Sequence, residues 1–320
     1  MAEGEEHKGT GHNSVKYLTP QTVVHEILQS IEARGPWPFI TRRVYQGRDW
    51  KTRVWNSRLH RKELRELRAE AEVVVEEVWR CLWAPGDLNW WIGSVFAVGS
   101  LLFVLGSILS LKPELAHQWS LTATGVNSVY FLGSLPFTTA AYLQLYQAAN
   151  ASEFDPSTRH AAPRRRTVFG WKPRNIGWLS CALQFAGTLL FNLNTFDAIV
   201  PPPSWMQQDF LVWVPDLIGS MLFLTSGYLA FVETCHAHFA WKPSSLSWWV
   251  TLVNLLGCVG FMIAAVFAII LPGPVHSEIA TLAIVFTLQG AVCFFLGSCL
   301  MLPESATGTG IKPAPCFLSA

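Results

Sequence analysis

Phe169-Gly170-Trp171-Lys172-Pro173-Arg174-Asn175-Ile176-Gly177-Trp178 leads into a long apolar run. The lead-in returns as Phe239-Ala240-Trp241-Lys242-Pro243, closed by Trp248, and in looser form from Trp83 through Pro85 to Trp90. Every copy has the spacing Trp-x-Pro-x4-Trp. A second signature follows it: Gly133-Ser134-Leu135-Pro136-Phe137, Gly219-Ser220-Met221-Leu222-Phe223 and Gly290-Ala291-Val292-Cys293-Phe294. The leading Trp and this Gly are 50, 48 and 49 residues apart, and 14 residues past the Gly come Gln147, Glu233 and Glu304. Such a register predicts one supersecondary unit used three times.

The unit is a membrane hairpin. The 320 residues are 51% hydrophobic and 14% charged, against roughly 25% charged in a soluble domain. Six apolar segments run at about 88–111, 124–147, 175–196, 211–232, 247–271 and 278–302. A 30 Å hydrocarbon core needs about 20 helical residues. Continuous rather than alternating hydrophobicity favours helices over a barrel. The fold class read from the sequence is therefore an all-α polytopic membrane protein: six transmembrane helices in three parallel-repeat hairpins, with a cytoplasmic helical N-terminal region.

Orientation follows from Lys and Arg. Of 23 such residues, 14 precede the first span and six lie between 148 and 174. The stretches 112–123, 197–210 and 272–277 hold one, none and none. The chain is expected to be multi-pass in the plasma membrane with both termini cytoplasmic. Trp90, Trp119, Trp178, Trp205 and Trp248 fall near predicted helix ends, where indole prefers the interface. The first twenty residues lack the apolar core of a secretory signal. The net charge of +1 gives no reason to expect a nucleic-acid partner. The expected partner is the lipid bilayer; the sequence leaves the identity of a small-molecule ligand open and calls for no cofactor.

The domain reading is a disordered tail at 1–16 and a helical juxtamembrane region at 17–82. The membrane domain covers 83–302, with repeats near 83–150, 169–238 and 239–304, and a cytoplasmic tail covers 303–320. Val23, Val24, Ile27, Leu28 and Ile31 have helical spacing, closed by Gly35 and Pro36. Leu64, Leu67, Ala71, Val74, Val78 and Leu82 form an apolar stripe on a predicted helix over 57–82. That stripe would dock on the membrane domain or pair with a second copy as a homo-oligomer.

A Gly-Ser followed by Phe after an aromatic lead-in resembles the YrhK-like two-span membrane domain. The likeness rests on Phe96 to Phe103 and Phe131 to Phe137 and extends as three hairpins over 83–302. It implies architecture and carries no catalytic residues.

Ionisable residues inside a membrane mark function, and the predicted midplane has none. Gln184 and Asn254 each fall six residues after the second Trp of their repeat, and Gln289 is mid-helix in the last span. These three form the candidate intramembrane polar cluster, which interhelical hydrogen bonding would also explain. Glu233, His236 and His238 are the best metal-like group, but three residues of one segment fall short of a complete ligand set. No Walker loop, dinucleotide fingerprint or Gly-x-Ser-x-Gly elbow occurs. The expected function is noncatalytic: small-solute transport, sensing or membrane assembly. The alternative is an enzyme or a metal- or heme-binding protein with its site at the cytoplasmic rim.

Overall fold

The structure is a computed structural model describing residues 29–46, 52–62, 82–151, 166–269 and 277–308. The predicted tail at 1–16, most of the predicted 57–82 helix and the residues after 308 lie outside these.

The N-terminal region corrects the helical expectation. Strands β1 (Gln29–Arg34), β2 (Arg42–Gln46) and β3 (Thr52–Asn56) form an antiparallel meander in the order β1-β2-β3. Val44 pairs Val54, and Arg43 pairs Trp55. Ile31 lies in a strand rather than on a helical stripe. Pairing with β2 supplies backbone hydrogen bonds that local periodicity cannot reveal. Helix α1 is short, Ser57–Arg61. It is tied to the sheet by a Ser57 N–H that donates to the Thr41 carbonyl at 2.8 Å.

The remaining elements are α2 (Leu88–Leu111), α3 (Pro113–Gln118), α4 (Ala123–Asn150), α5 (Ile176–Asp197), α6 (Trp205–Gln208), α7 (Val214–Cys235), α8 (Leu246–Phe267) and α9 (Ser277–Gly308). A π-helical turn, Asp209–Trp213, joins α6 to α7. Among the described residues, five helical stretches are long and apolar enough to cross a membrane: α2, α5, α6 through α7, α8 and α9. Helix α4 has 28 residues but also Asn127, Thr138, Thr139, Gln144 and Gln147, so it stays outside that set. Large side chains such as Leu101, Leu132, Leu193, Val266 and Leu296 face outward. A water-soluble monomer avoids so broad an apolar exterior. The chain is a multi-pass integral membrane protein.

The lead-ins fold alike. Asp87 and Asn175 cap α2 and α5 by accepting from the N–H of Asn89 and Trp178, satisfying donors a helix leaves open at its start. The leading and closing indoles meet edge to face at 5.4, 5.4 and 4.9 Å for Trp83–Trp90, Trp171–Trp178 and Trp241–Trp248. The closing indole N–H then donates back to a lead-in carbonyl: Leu82, Phe169 or Ala240. Lys242 Nζ donates to the carbonyls of Thr234 and Cys235, ending α7 with a cation at its negative pole.

The long helices form a closed ring in chain order: α2 packs on α4, α4 on α5, α5 on α7, α7 on α8, α8 on α9 and α9 on α2. Pairs cross at glycine. A Cβ on Gly99 would lie 2.9 Å from the Gly133 carbonyl, one on Gly187 3.1 Å from that of Gly219, and one on Gly257 3.1 Å from that of Gly290. Backbones approach this closely only without side chains at the crossing. Phe103, Phe191 and Phe261 stand four residues after the first glycine of each pair, and Phe137, Phe223 and Phe294 four after the second. These rings meet on the bundle axis. Phe261 is 6.0 Å from Phe103 and 5.8 Å from Phe191, while Phe294 is 5.6 Å from Phe137 and 5.9 Å from Phe223.

Candidate functional site

Helix α1 and its C-cap residue supply the cations of the site. Arg58, Arg61 and Lys62 are three and four residues apart, so they share one face. That face is buried against the bundle, where α1 packs on α5 and α7. Arg61 Nη2 donates to Glu233 at 2.9 Å, and Ser57 Oγ donates to the same carboxylate at 2.6 Å. Arg58 Nη2 and Lys62 Nζ reach Glu304 at 3.0 and 2.7 Å, and Ser247 Oγ donates to it at 2.6 Å. The third corner is neutral. Gln147 donates to Asn89, which donates to the Lys62 carbonyl at 3.1 Å.

The three corners thus receive α1 in three ways. Gln147, Glu233 and Glu304 share one place in the register, and Asn89, Gly177 and Ser247 directly precede the closing Trp. Gly177 makes room for the guanidinium, since a Cβ there would sit 2.5 Å from Arg61 Nε. That Nε has no hydrogen-bond partner among the described residues. Burial opposes the Arg61 charge, but Glu233 prevails and raises its pKa above the ordinary arginine value. For Lys62, burial and then the neighbouring Arg58 lower the ammonium to about 8, although Glu304 pulls the other way.

Inward of α1 lies a cavity of about 60 Å³, room for a few waters. Its walls include all three cations, the carboxamides of Gln144, Gln184 and Asn254, and the rings of Phe223 and Phe294. Beyond the phenylalanine layers a second cavity of about 150 Å³ is bordered by Asn127, Tyr130, Asn194, Asp216 and Thr287. Phe103, Phe191 and Phe261 line this outer cavity, so the six-ring waist separates two polar chambers.

No known protein family, curated protein or solved structure matches the chain. Any functional reading therefore stands on this geometry.

The structure brings Gln184 and Asn254 to one cavity. Gln289 is elsewhere, donating to the Leu256 carbonyl at 3.3 Å and to Cys293 Sγ at 3.1 Å. Its side chain lies over Gly260 of α8 and not on the axis. Glu233, His236 and His238 do not converge. Glu233 is held by α1, His236 Nδ1 is 3.0 Å from Thr41 Oγ1, and His238 Nδ1 is 2.9 Å from the Tyr228 hydroxyl. Among the described residues, no group of three or more His, Cys, Asp or Glu is placed to hold a metal.

Sequence reasoning missed Arg58, Arg61, Lys62 and Gln144. A signal for the cations was present. Two carboxylates at helix ends need counter-charges, and Lys242 is the sole cation between 233 and 246.

Proposed function

We propose that the chain is a noncatalytic conduit for a small polar solute, built from three parallel two-helix units and resting closed. On this reading all six long helices span the bilayer, α4 included, and each pair is a YrhK-like hairpin. The end carrying α1 faces the cytoplasm, in the plasma membrane. The observation that carries the proposal is the pair of polar cavities on one axis, separated by six phenylalanine rings. Hydrophobic constrictions of this kind gate pores by excluding water. Helix α1 acts as a second closure, because its three cations occupy the mouth of the inner chamber.

Flux across proteoliposomes tests this. The wild type is expected to pass small polar solutes slowly, and the Phe223→Ala and Phe261→Ala variants several-fold faster. Vesicles equally tight for the wild type, both variants and protein-free lipid would overturn the reading and leave the bundle a packed scaffold. Unequal labelling of tags after Pro202 and after Arg165 by an impermeant reagent checks the parallel arrangement.

A further inference from the structure

We infer that the inner cavity is a binding site for one small monovalent anion, of halide or nitrate size, held among Arg61, Gln184 and Asn254. Three observations lead there. First, the charges do not cancel. Among the described residues, Arg58, Arg61 and Lys62 face only two buried carboxylates, Glu233 and Glu304. The excess is one positive charge, enclosed where water screens it poorly. Second, donors remain uncommitted. Arg61 is 7% exposed and lines the cavity, its unpartnered Nε packed against Gly177. The side chains of Gln144, Gln184 and Asn254 border the same space and make no hydrogen bond to any described residue. A carboxamide turns its NH2 toward an anion at no charge cost. Third, size restricts the ligand. A cavity of about 60 Å³ closed by Phe223 and Phe294 excludes sugar acids and nucleotides.

The lowered Lys62 pKa has the same origin, since burial and adjacent guanidinium groups work against its charge. A bound anion relieves that repulsion, and so stabilises α1 in its docked position. Cations are disfavoured by the same excess charge. The inference needs the chamber but not passage through the waist. A solute-tight bundle would still bind the ion, so its fate and that of the conduit reading are separable.

The test is the unfolding temperature of the purified full chain in detergent, titrated with sodium chloride or sodium nitrate against sodium gluconate at matched ionic strength. The expected result is a saturable rise with chloride and nitrate that gluconate does not give. Gln184→Leu and Asn254→Leu should each lose the saturable part, while Gly86→Ala, where an added Cβ meets nothing, should keep it. Chloride-35 linewidths provide a second readout on wild-type protein alone: binding broadens the line, and nitrate competes it back. Equal responses to chloride and gluconate, or a saturable chloride response retained in both cavity variants, would overturn the site. Flux of a neutral solute in liposomes is indifferent to this outcome and reports on the conduit separately.

Discussion

Arg61 and Glu233 meet at 2.9 Å across 172 residues of sequence, both buried, one on a five-residue helix and the other near the end of α7. Removing one member leaves the other charge buried and unpaired, which costs about 3–5 kcal/mol, while replacing both with apolar groups is close to neutral. Arg61→Met and Glu233→Met are therefore each expected to lower the unfolding temperature sharply, and the double variant to recover most of the loss. Equal or additive losses in the double variant would mean that the pair does not hold α1 in place.

Gly177 controls the same contact from the opposite side. A methyl group there would lie 2.5 Å from Arg61 Nε and 2.7 Å from Glu233 Oε1. Overpacking of this kind costs about 1–3 kcal/mol. Gly177→Ala should destabilise the protein and expose the segment near Arg61 to protease, whereas Gly86→Ala, in open space, should do neither. Identical proteolysis patterns for the two variants would count against Gly177 as the seat of the guanidinium.

Each closing indole donates one hydrogen bond to its own lead-in, and Trp248, fully buried, donates to Ala240 at 2.9 Å. Phenylalanine keeps most of the ring and loses the donor, removing one hydrogen bond at a net cost of about 1 kcal/mol. Trp90→Phe, Trp178→Phe and Trp248→Phe should show similar decreases in unfolding temperature if the three lead-ins are equivalent. One large effect among two negligible ones would argue for unequal roles.

What the sequence disclosed, it disclosed through spacing. The apolar segments at 88–111 and 175–196 differ from α2 and α5 by a residue at most, because a capping residue and an indole mark the start of each. Gln184 and Asn254 were legible because amides inside apolar runs stand out. Phe137, Phe223 and Phe294 were legible as the end of the repeat signature, but the meeting of six rings on the axis was not, since a Phe in a greasy helix looks like any lipid-facing residue until the helices are placed in a ring. Gln289 was misplaced because it precedes Gly290, and the small-residue face there turns toward α8 rather than the axis. The strands at 29–56 are held by neighbouring strands of one meander and the insertion of α1 by carboxylates far along the chain, and a count of helical spacing registers neither.

His236 reports on how the sheet joins the bundle. It ends α7 with a left-handed backbone, φ 59°, and its Nδ1 is 3.0 Å from Thr41 Oγ1 at the foot of the sheet. Burial, then Lys242 and Arg42, lower its pKa from 6.5 to about 4, with Arg34 acting alongside them and Glu233 against. The unfolded chain takes up a proton that the folded chain refuses, so this contribution to stability is complete above the ordinary pKa of 6.5 and is lost as pH falls toward 4. Unfolding temperatures measured across that interval should fall more steeply for the wild type than for His236→Asn, since Asn tolerates the left-handed conformation and carries no titrating proton. Lys242→Met removes one of the cations facing the ring, so its loss should be shallower than that of the wild type. Parallel curves for the wild type and His236→Asn would show that the junction between the sheet and α7 does not titrate through this imidazole.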